Sequence, residues 1–140
     1  MLISQILRSK RPDIVVISPE ATIRSAIALM VREHVGALVV IDENEHLLGV
    51  VSEREIIHNL DFNSADLMAC SVRNCMRTDV PVAKRDDTIQ SVMEVMTASR
   101  ARHVPVVAYG RPIGIVSIGD IVKSRLDETI KENSVLQEIA

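Results

Sequence analysis

Apolar residues in this chain fall into short blocks of two kinds, and the blocks recur in the same order twice. β-Branched runs at 14–17 and 80–83 each end at polar residues and predict short strands. Thr22 and Thr88 then stand directly ahead of helical patterns. These are Ile23, Ala26, Ile27, Met30 and Val31 in the first copy, and Ile89, Val92, Met93 and Met96 in the second. Two further apolar runs follow in each copy. They are 37–41 and 47–51 around Asp42-Glu43-Asn44-Glu45, and 104–108 and 112–116 around Tyr109-Gly110-Arg111. A helix is predicted after each hairpin, from Ser52 or Ser117. The unit is strand, helix, strand, strand, helix. Continuously apolar strands predict a sheet covered on both faces.

The repetition holds residue by residue. Asp13, Val16, Thr22, Ile23, Ser25, Met30 and Val40 align without a gap with Asp79, Val82, Thr88, Ile89, Ser91, Met96 and Val106. One residue is lost in a turn, where a deletion is tolerated. Then Gly49-Val50-Val51-Ser52-Glu53-Arg54-Glu55-Ile56 meets Gly114-Ile115-Val116-Ser117-Ile118-Gly119-Asp120-Ile121. Two copies are too few for a solenoid and predict a pseudo-symmetric pair sharing a core. The expected boundaries are 6–60 for the first repeat, 61–75 for a linker with a short helix near its end, 76–126 for the second repeat and 127–140 for a helical extension. On the last helix Val122, Leu126 and Ile130, continued by Val135, Leu136 and Ile139, form an apolar stripe. Such a stripe needs a partner surface, either its own domain or another subunit.

Composition narrows the class. The 140 residues suffice for one core without staples. A hydrophobic fraction of 47%, a charged fraction of 25% and a net charge of −3 argue against disorder and against a general nucleic-acid binder. The only aromatics are Phe62 and Tyr109, so stacking platforms for single strands are missing. No apolar run approaches the roughly 20 residues of a membrane span, and residues 1–11 lack a signal-peptide pattern. A cytoplasmic protein with neither membrane nor nucleic-acid partner is expected. Cys70 and Cys75 fit that compartment as free thiols without a zinc or redox spacing.

Most catalytic signatures are absent, including phosphate-binding glycine loops and H-E-x-x-H. The serine in 114–119 stands one position too late for a nucleophile elbow, which argues against hydrolase chemistry. His34, His46, His58 and His103 share no metal-ligand spacing. What remains is the duplicated Gly-x-x-Ser-x-x-acid. Ser52 with Glu55, and Ser117 with Asp120, each mark the start of a helix. One reading is a capping box, worth about 1 kcal/mol. The other is a ligand site, because a helix N-terminus suits a phosphate and a carboxylate there can hold a ribose diol. Arg100-Ala101-Arg102-His103 precedes the second-copy strand, and Arg54 lies in the first copy. Arginine binds two phosphate oxygens at once.

These segments, with Thr22-Ile23-Arg24-Ser25-Ala26, Gly36-Ala37-Leu38-Val39-Val40-Ile41-Asp42 and Arg102-His103-Val104-Pro105-Val106-Val107, resemble a tandem CBS-domain pair, the Bateman module. The resemblance covers roughly residues 6–126. It implies an α/β fold of two β-α-β-β-α repeats packed through their sheets, here with a long C-terminal helix, leaving two clefts for adenosine compounds. AMP is the leading candidate, with ADP, ATP, NAD(H) and S-adenosylmethionine as others. Carried over by position, one cleft would use Asp120 on ribose and Ser117, Arg102 and His103 near phosphate, assisted by Arg100. Ile14, Val15, Val35 and Gly36 would wall its adenine. The other cleft would combine Ser52, Arg54, Glu55, Val80, Pro81 and Ala101. It departs from the family pattern, with Glu55 where aspartate is usual and Gly36-Ala37 opposite Arg102-His103. The Asp120 cleft is therefore expected to be the stronger one. The resemblance further implies a homodimer and a stand-alone regulatory module, not an enzyme, which signals to an unknown effector without a catalytic cofactor. The alternative is a structural dimerisation module whose clefts have degenerated and bind nothing.

Overall fold

The computed structural model describes residues 1–10, 14–63 and 66–139. Its elements are α1 (Ile3–Ser9), β1 (Val16–Ile17), α2 (Ile23–Glu33), β2 (Ala37–Ile41), β3 (Leu47–Ser52), α3 (Glu53–Asn63), α4 (Ile89–Ser99), β4 (His103–Ala108), β5 (Arg111–Ser117) and α5 (Ile118–Ile139). Short 3-10 turns at Leu67–Ala69 and Val72–Asn74 lie between α3 and α4. The tail positions Val135, Leu136 and Ile139, and Asp13 of the repeat match, lie outside the residues whose side chains are described.

The duplicated sequence makes duplicated local structure. Thr22 and Thr88 cap α2 and α4, each accepting a hydrogen bond at 3.1 Å from the backbone N–H three residues on. Both helices are stopped by a residue in the left-handed region, His34 (φ 56°) and Arg100 (φ 53°). The chain then reverses into a hairpin. β2 pairs antiparallel with β3, with Ala37 opposite Ser52, and β4 with β5, with His103 opposite Ser117. The hairpins are closed alike, Glu53 N–H donating to Gly36 O at 3.1 Å and Ile118 N–H to Arg102 O at 2.9 Å.

The leading strands are shorter than the pattern suggests. β1 is confined to Val16–Ile17, parallel to β2. The run at 80–83 contributes a single bridge, in which Ala83 N–H donates to Pro105 O and Val107 N–H to Ala83 O, each at 2.9 Å. Pro81 has no N–H to extend that ladder. The first sheet therefore has three strands and the second two.

Two apolar cores result. Ile23, Ala26, Met30, Leu38, Val40, Val51 and Ile56 build the first, and Ile89, Val92, Met96, Val104, Val106, Val116 and Ile121 the second. Each core also takes side chains that precede the other repeat. Ile3 and Ile6 of α1 are buried in the second core, whereas Val72 and Cys75 are buried in the first. Backbone bonds match this exchange. Ile3 N–H donates to Asp87 O and Ile89 N–H to Met1 O, while Val72 N–H donates to Ala21 O and Ile23 N–H to Cys70 O. Full burial of each isoleucine contributes about 2 kcal/mol, so the exchange ties the repeats together. Residues 66–75 are thus part of the first core, not a loose connection. On the opposite sheet face, Val39 and Val50 are also buried, which leaves the sheets facing each other across the repeat boundary. Among the described residues no helix is long and apolar enough to cross a membrane, and no group of three or more acid, His or Cys side chains is placed to hold a metal.

Candidate functional site

Two cavities open between the repeats. The larger, about 460 Å³, is bounded on one side by the start of α3, with Ser52, Glu53, Arg54, Glu55 and His58. The other side is the corner between α4 and β4, with Arg100, Ala101, Arg102 and His103, and the floor includes Arg77 and Val80. The smaller, about 330 Å³, lies among Leu7, Lys10, Ile14, Val15, Val35 and Ile115.

The left-handed residue Arg100 ends α4 and leads directly into the basic cluster. Arg100, Arg102, His103 and Gly36 line that larger cavity with Glu55, while His103 also lies opposite Ser117 and within the field of the Asp120 charge, the group the resemblance assigned them to. Ser52, Arg54, Glu55, Val80 and Ala101 stand together in that larger cavity as grouped. Ile14, Val15 and Val35 line the smaller one, and Pro81, Ser117 and Asp120 line neither. Gly36 leaves room at the boundary, since a methyl group there would stand 3.2 Å from Glu53 Oε1 and 3.8 Å from His103 Nε2.

The two motif pairs differ in their bonding. Ser117 and Asp120 form a reciprocal cap, with Ser117 N–H donating to Asp120 Oδ2 at 2.8 Å and Asp120 N–H to Ser117 Oγ at 3.0 Å. Lys10 Nζ donates to the same Oδ2 at 2.7 Å. In the first repeat the Ser52 hydroxyl donates directly to Glu55 Oε2. The extra methylene of glutamate carries its oxygens past the backbone N–H and onto the serine side chain.

The family model for the CBS domain matches residues 3–61 and again 72–127. The chain belongs to the CBS-domain family. A CBS-domain containing protein from Agrobacterium tumefaciens superposes with a TM-score of 0.85 at 34% identity, over 89% of this chain and 99% of that one. The CBS-domain pair of protein MJ0100, solved with 5′-methylthioadenosine and S-adenosyl-L-methionine, gives 0.78 at 28% identity, over 92% and 97%. Inosine-5′-monophosphate dehydrogenase from Methanocaldococcus jannaschii is 30% identical over 114 residues, 81% of this chain. The chain spans about a fifth of that enzyme's length, 22%.

Electrostatics at the boundary of this CBS pair converge on His103. Burial lowers its pKa most. Glu55 pushes it up, Lys10 pulls it down, and Asp120 and Glu53 push up more weakly, so the net direction is down and the neutral form is favoured. Burial raises the Asp120 carboxyl, but hydrogen bonds from Lys10 and the Ser117 N–H, with the Lys10 charge, outweigh it and hold the pKa below the ordinary value. Two cations are tied across the cavity to α4's C-terminal end. Arg54 Nη1 donates to Arg100 O and Arg77 Nη2 to Ser99 O, both at 2.9 Å. These bonds satisfy carbonyls that a helix end leaves free. Arg77, His58 and Lys10 belong to the two cavities but stand outside the motifs. Arg77 and Lys10 arrive there through contacts between distant segments, which a spacing pattern within one repeat does not encode, whereas His58 lies one turn after Glu55 on α3, a spacing of three that signals a shared face.

Proposed function

We propose that this CBS pair is a regulatory module that binds an adenosine compound between its repeats, with the larger cavity as its main site. The observation that carries the reading is the make-up of that cavity. A carboxylate at a helix start, Glu55, shares a space of about 460 Å³ with Arg54, Arg77, Arg100, Arg102 and His103. Glu55 suits the ribose diol, and the Arg100 and Arg102 guanidinium groups suit a phosphate, which they bind with paired donors, whereas Arg77 is engaged by Ser99 O and Asp79. The methylthioadenosine and S-adenosylmethionine bound by the MJ0100 pair support an adenosine-class ligand. So does AMP, bound by CBSX2, a fold relative at 24% identity and a TM-score of 0.74. AMP is the leading ligand because its phosphate matches the cationic wall.

The module works by linkage, not turnover. A ligand that prefers one arrangement of the repeats shifts the population, and a partner protein reads the shift. Ser117 Oγ is spent as a cap acceptor for Asp120 N–H, which is a structural role and not that of a nucleophile. Half-exposed Val122, Leu126 and Ile130 on α5 offer an apolar face for a homodimer.

Calorimetric titration of ligand-stripped protein with AMP, ATP and NADH tests the reading. AMP is expected to bind, and Glu55→Gln to weaken it at least tenfold with little change in stability. No heat of binding from any adenosine compound at millimolar concentration overturns the reading and leaves a dimerisation module whose motif pairs are only caps.

A further inference from the structure

The carboxylate that the family pattern favours is already occupied by this chain's own lysine. Lys10 follows α1, and its Nζ donates to Asp120 Oδ2 at 2.7 Å and to Ile115 O at 2.6 Å. Oδ2 also accepts the Ser117 N–H at 2.8 Å. A carboxylate oxygen has two lone pairs, and both on Oδ2 are engaged. A diol held one hydroxyl to each carboxylate oxygen therefore competes with the lysine for Oδ2. Displacing the lysine breaks a charge-assisted bond, roughly twice as strong as a neutral one. The pair is only 29% and 22% exposed, so water screens it less than an open surface pair.

Glu55 is held differently. Its carboxylate accepts from the Ser52 hydroxyl, a neutral donor that can rotate, and no ion pair holds it among the described residues. The larger cavity lies in front of it. Lys10 and Ile115 instead line the smaller cavity, the lysine stem taking space there.

We infer that Lys10 is a specificity-determining residue that withholds Asp120 from ligand and makes the two clefts unequal. The Glu55 cleft loads first. The Asp120 cleft takes ligand only when the Lys10 ammonium leaves the carboxylate. This rests on the adenosine reading above and adds to it which cleft is open and what closes the other.

The test is AMP titration of the full, ligand-stripped chain by calorimetry, in the wild type and in Lys10→Met, which keeps most of the stem and removes the charge. The wild type binds one equivalent per chain. Lys10→Met binds two, or binds its second equivalent at least tenfold more tightly than the wild type does. Adding Asp120→Asn to Lys10→Met removes the second equivalent and leaves the first. Circular dichroism checks the fold of each variant. Where Lys10→Met fails to fold, Lys10→Gln, with a neutral donor, carries the same expectation. Two equal sites in the wild type overturn the inference, and so does a Lys10 variant whose stoichiometry and affinities match the wild type. A folded wild type and variant that both ignore AMP overturn the adenosine reading itself, a result distinct from failure of the lysine lock.

Discussion

Gly49 and Gly114 hold the same place in the two repeats, yet a methyl group would meet different obstacles at each. At Gly49 it would stand 2.4 Å from Arg77 O, a backbone atom. At Gly114 it would stand 2.7 Å from Leu7 Cδ2, the far end of a side chain. Neither glycine is at positive φ, so alanine brings the same entropic gain to both, about 0.4–1 kcal/mol. Relieving the clash in Gly49→Ala moves the Arg77 backbone and breaks the bridge in which Val50 N–H donates to Arg77 O (3.0 Å) and Arg77 N–H to Val50 O (2.9 Å). Two net hydrogen bonds at about 1 kcal/mol each, with about 1–3 kcal/mol of overpacking and the entropic gain subtracted, give a loss of roughly 2–4.5 kcal/mol. In Gly114→Ala, Leu7 can change rotamer, and the loss is about 1–2 kcal/mol. Urea unfolding followed by circular dichroism reads both losses from the midpoint at constant slope. Trimming the obstacle in Gly114→Ala/Leu7→Ala makes the second clash vanish, so the double variant costs no more than Leu7→Ala alone. No such rescue exists for Gly49, whose obstacle is the main chain. Equal losses at the two glycines, or a larger loss at Gly114, refute the steric argument.

Other outcomes follow from the same structure. Ile6→Ala lowers stability by about 2–5 kcal/mol, although the residue lies at the start of the first repeat, because it is buried in the second core; thermal unfolding measures it. Thr22→Ala and Thr88→Ala each cost about 1 kcal/mol, and the two losses add because the caps sit in different cores; a urea titration of the double variant checks the sum. Stability falls in two stages on acidification. His103, with its folded pKa lowered, binds its proton more readily when unfolded, so its contribution is present above pH 6.5 and lost as pH falls below that value. Asp120, also lowered, contributes above its ordinary 3.8 and loses that contribution as pH falls through its lower folded value. Urea midpoints from pH 8 to pH 3 show both stages, and His103→Gln removes the first. Burial, helped by the Glu55 and Cys70 charges, raises the Cys75 thiol to about 11. At pH 8 only about one Cys75 in a thousand is thiolate, so a disulfide reagent labels one cysteine quickly in the native protein and two in urea.

Much of the architecture was legible because it is local. The threonine caps, the paired apolar runs and the helix after each serine depend on neighbours within a few residues, and duplication wrote each signal twice. The reciprocal bond between Ser117 and Asp120 also follows from a spacing of three. The strand run at 80–83 misled because apolar pattern reports burial, whereas pairing needs an N–H that Pro81 lacks. α1 was invisible to the pattern for a different reason. Ile3 and Ile6 are too few to show a period, and their burial comes from the second repeat, more than 75 residues away.

The site followed the same division. Most of the motif candidates line one of the two cavities, whereas Pro81, Ser117 and Asp120 line neither. Position in a motif does not decide which cavity each one enters, because that depends on how the two repeats pack against each other. Arg102 and Gly36 are equivalent by alignment, and both line the larger cavity from opposite sides. Duplication therefore copied the backbone and left the two clefts chemically distinct. One gained the guanidinium groups and kept a glutamate held by a serine hydroxyl. The other kept the aspartate that the pattern prizes and filled it with Lys10, a residue outside every repeated motif. The expectation that the Asp120 cleft is the stronger weighs the side chain alone, and the Lys10 proposal sets availability against it. Availability depends on what else reaches the carboxylate, and here the group that reaches it lies 110 residues away in the chain.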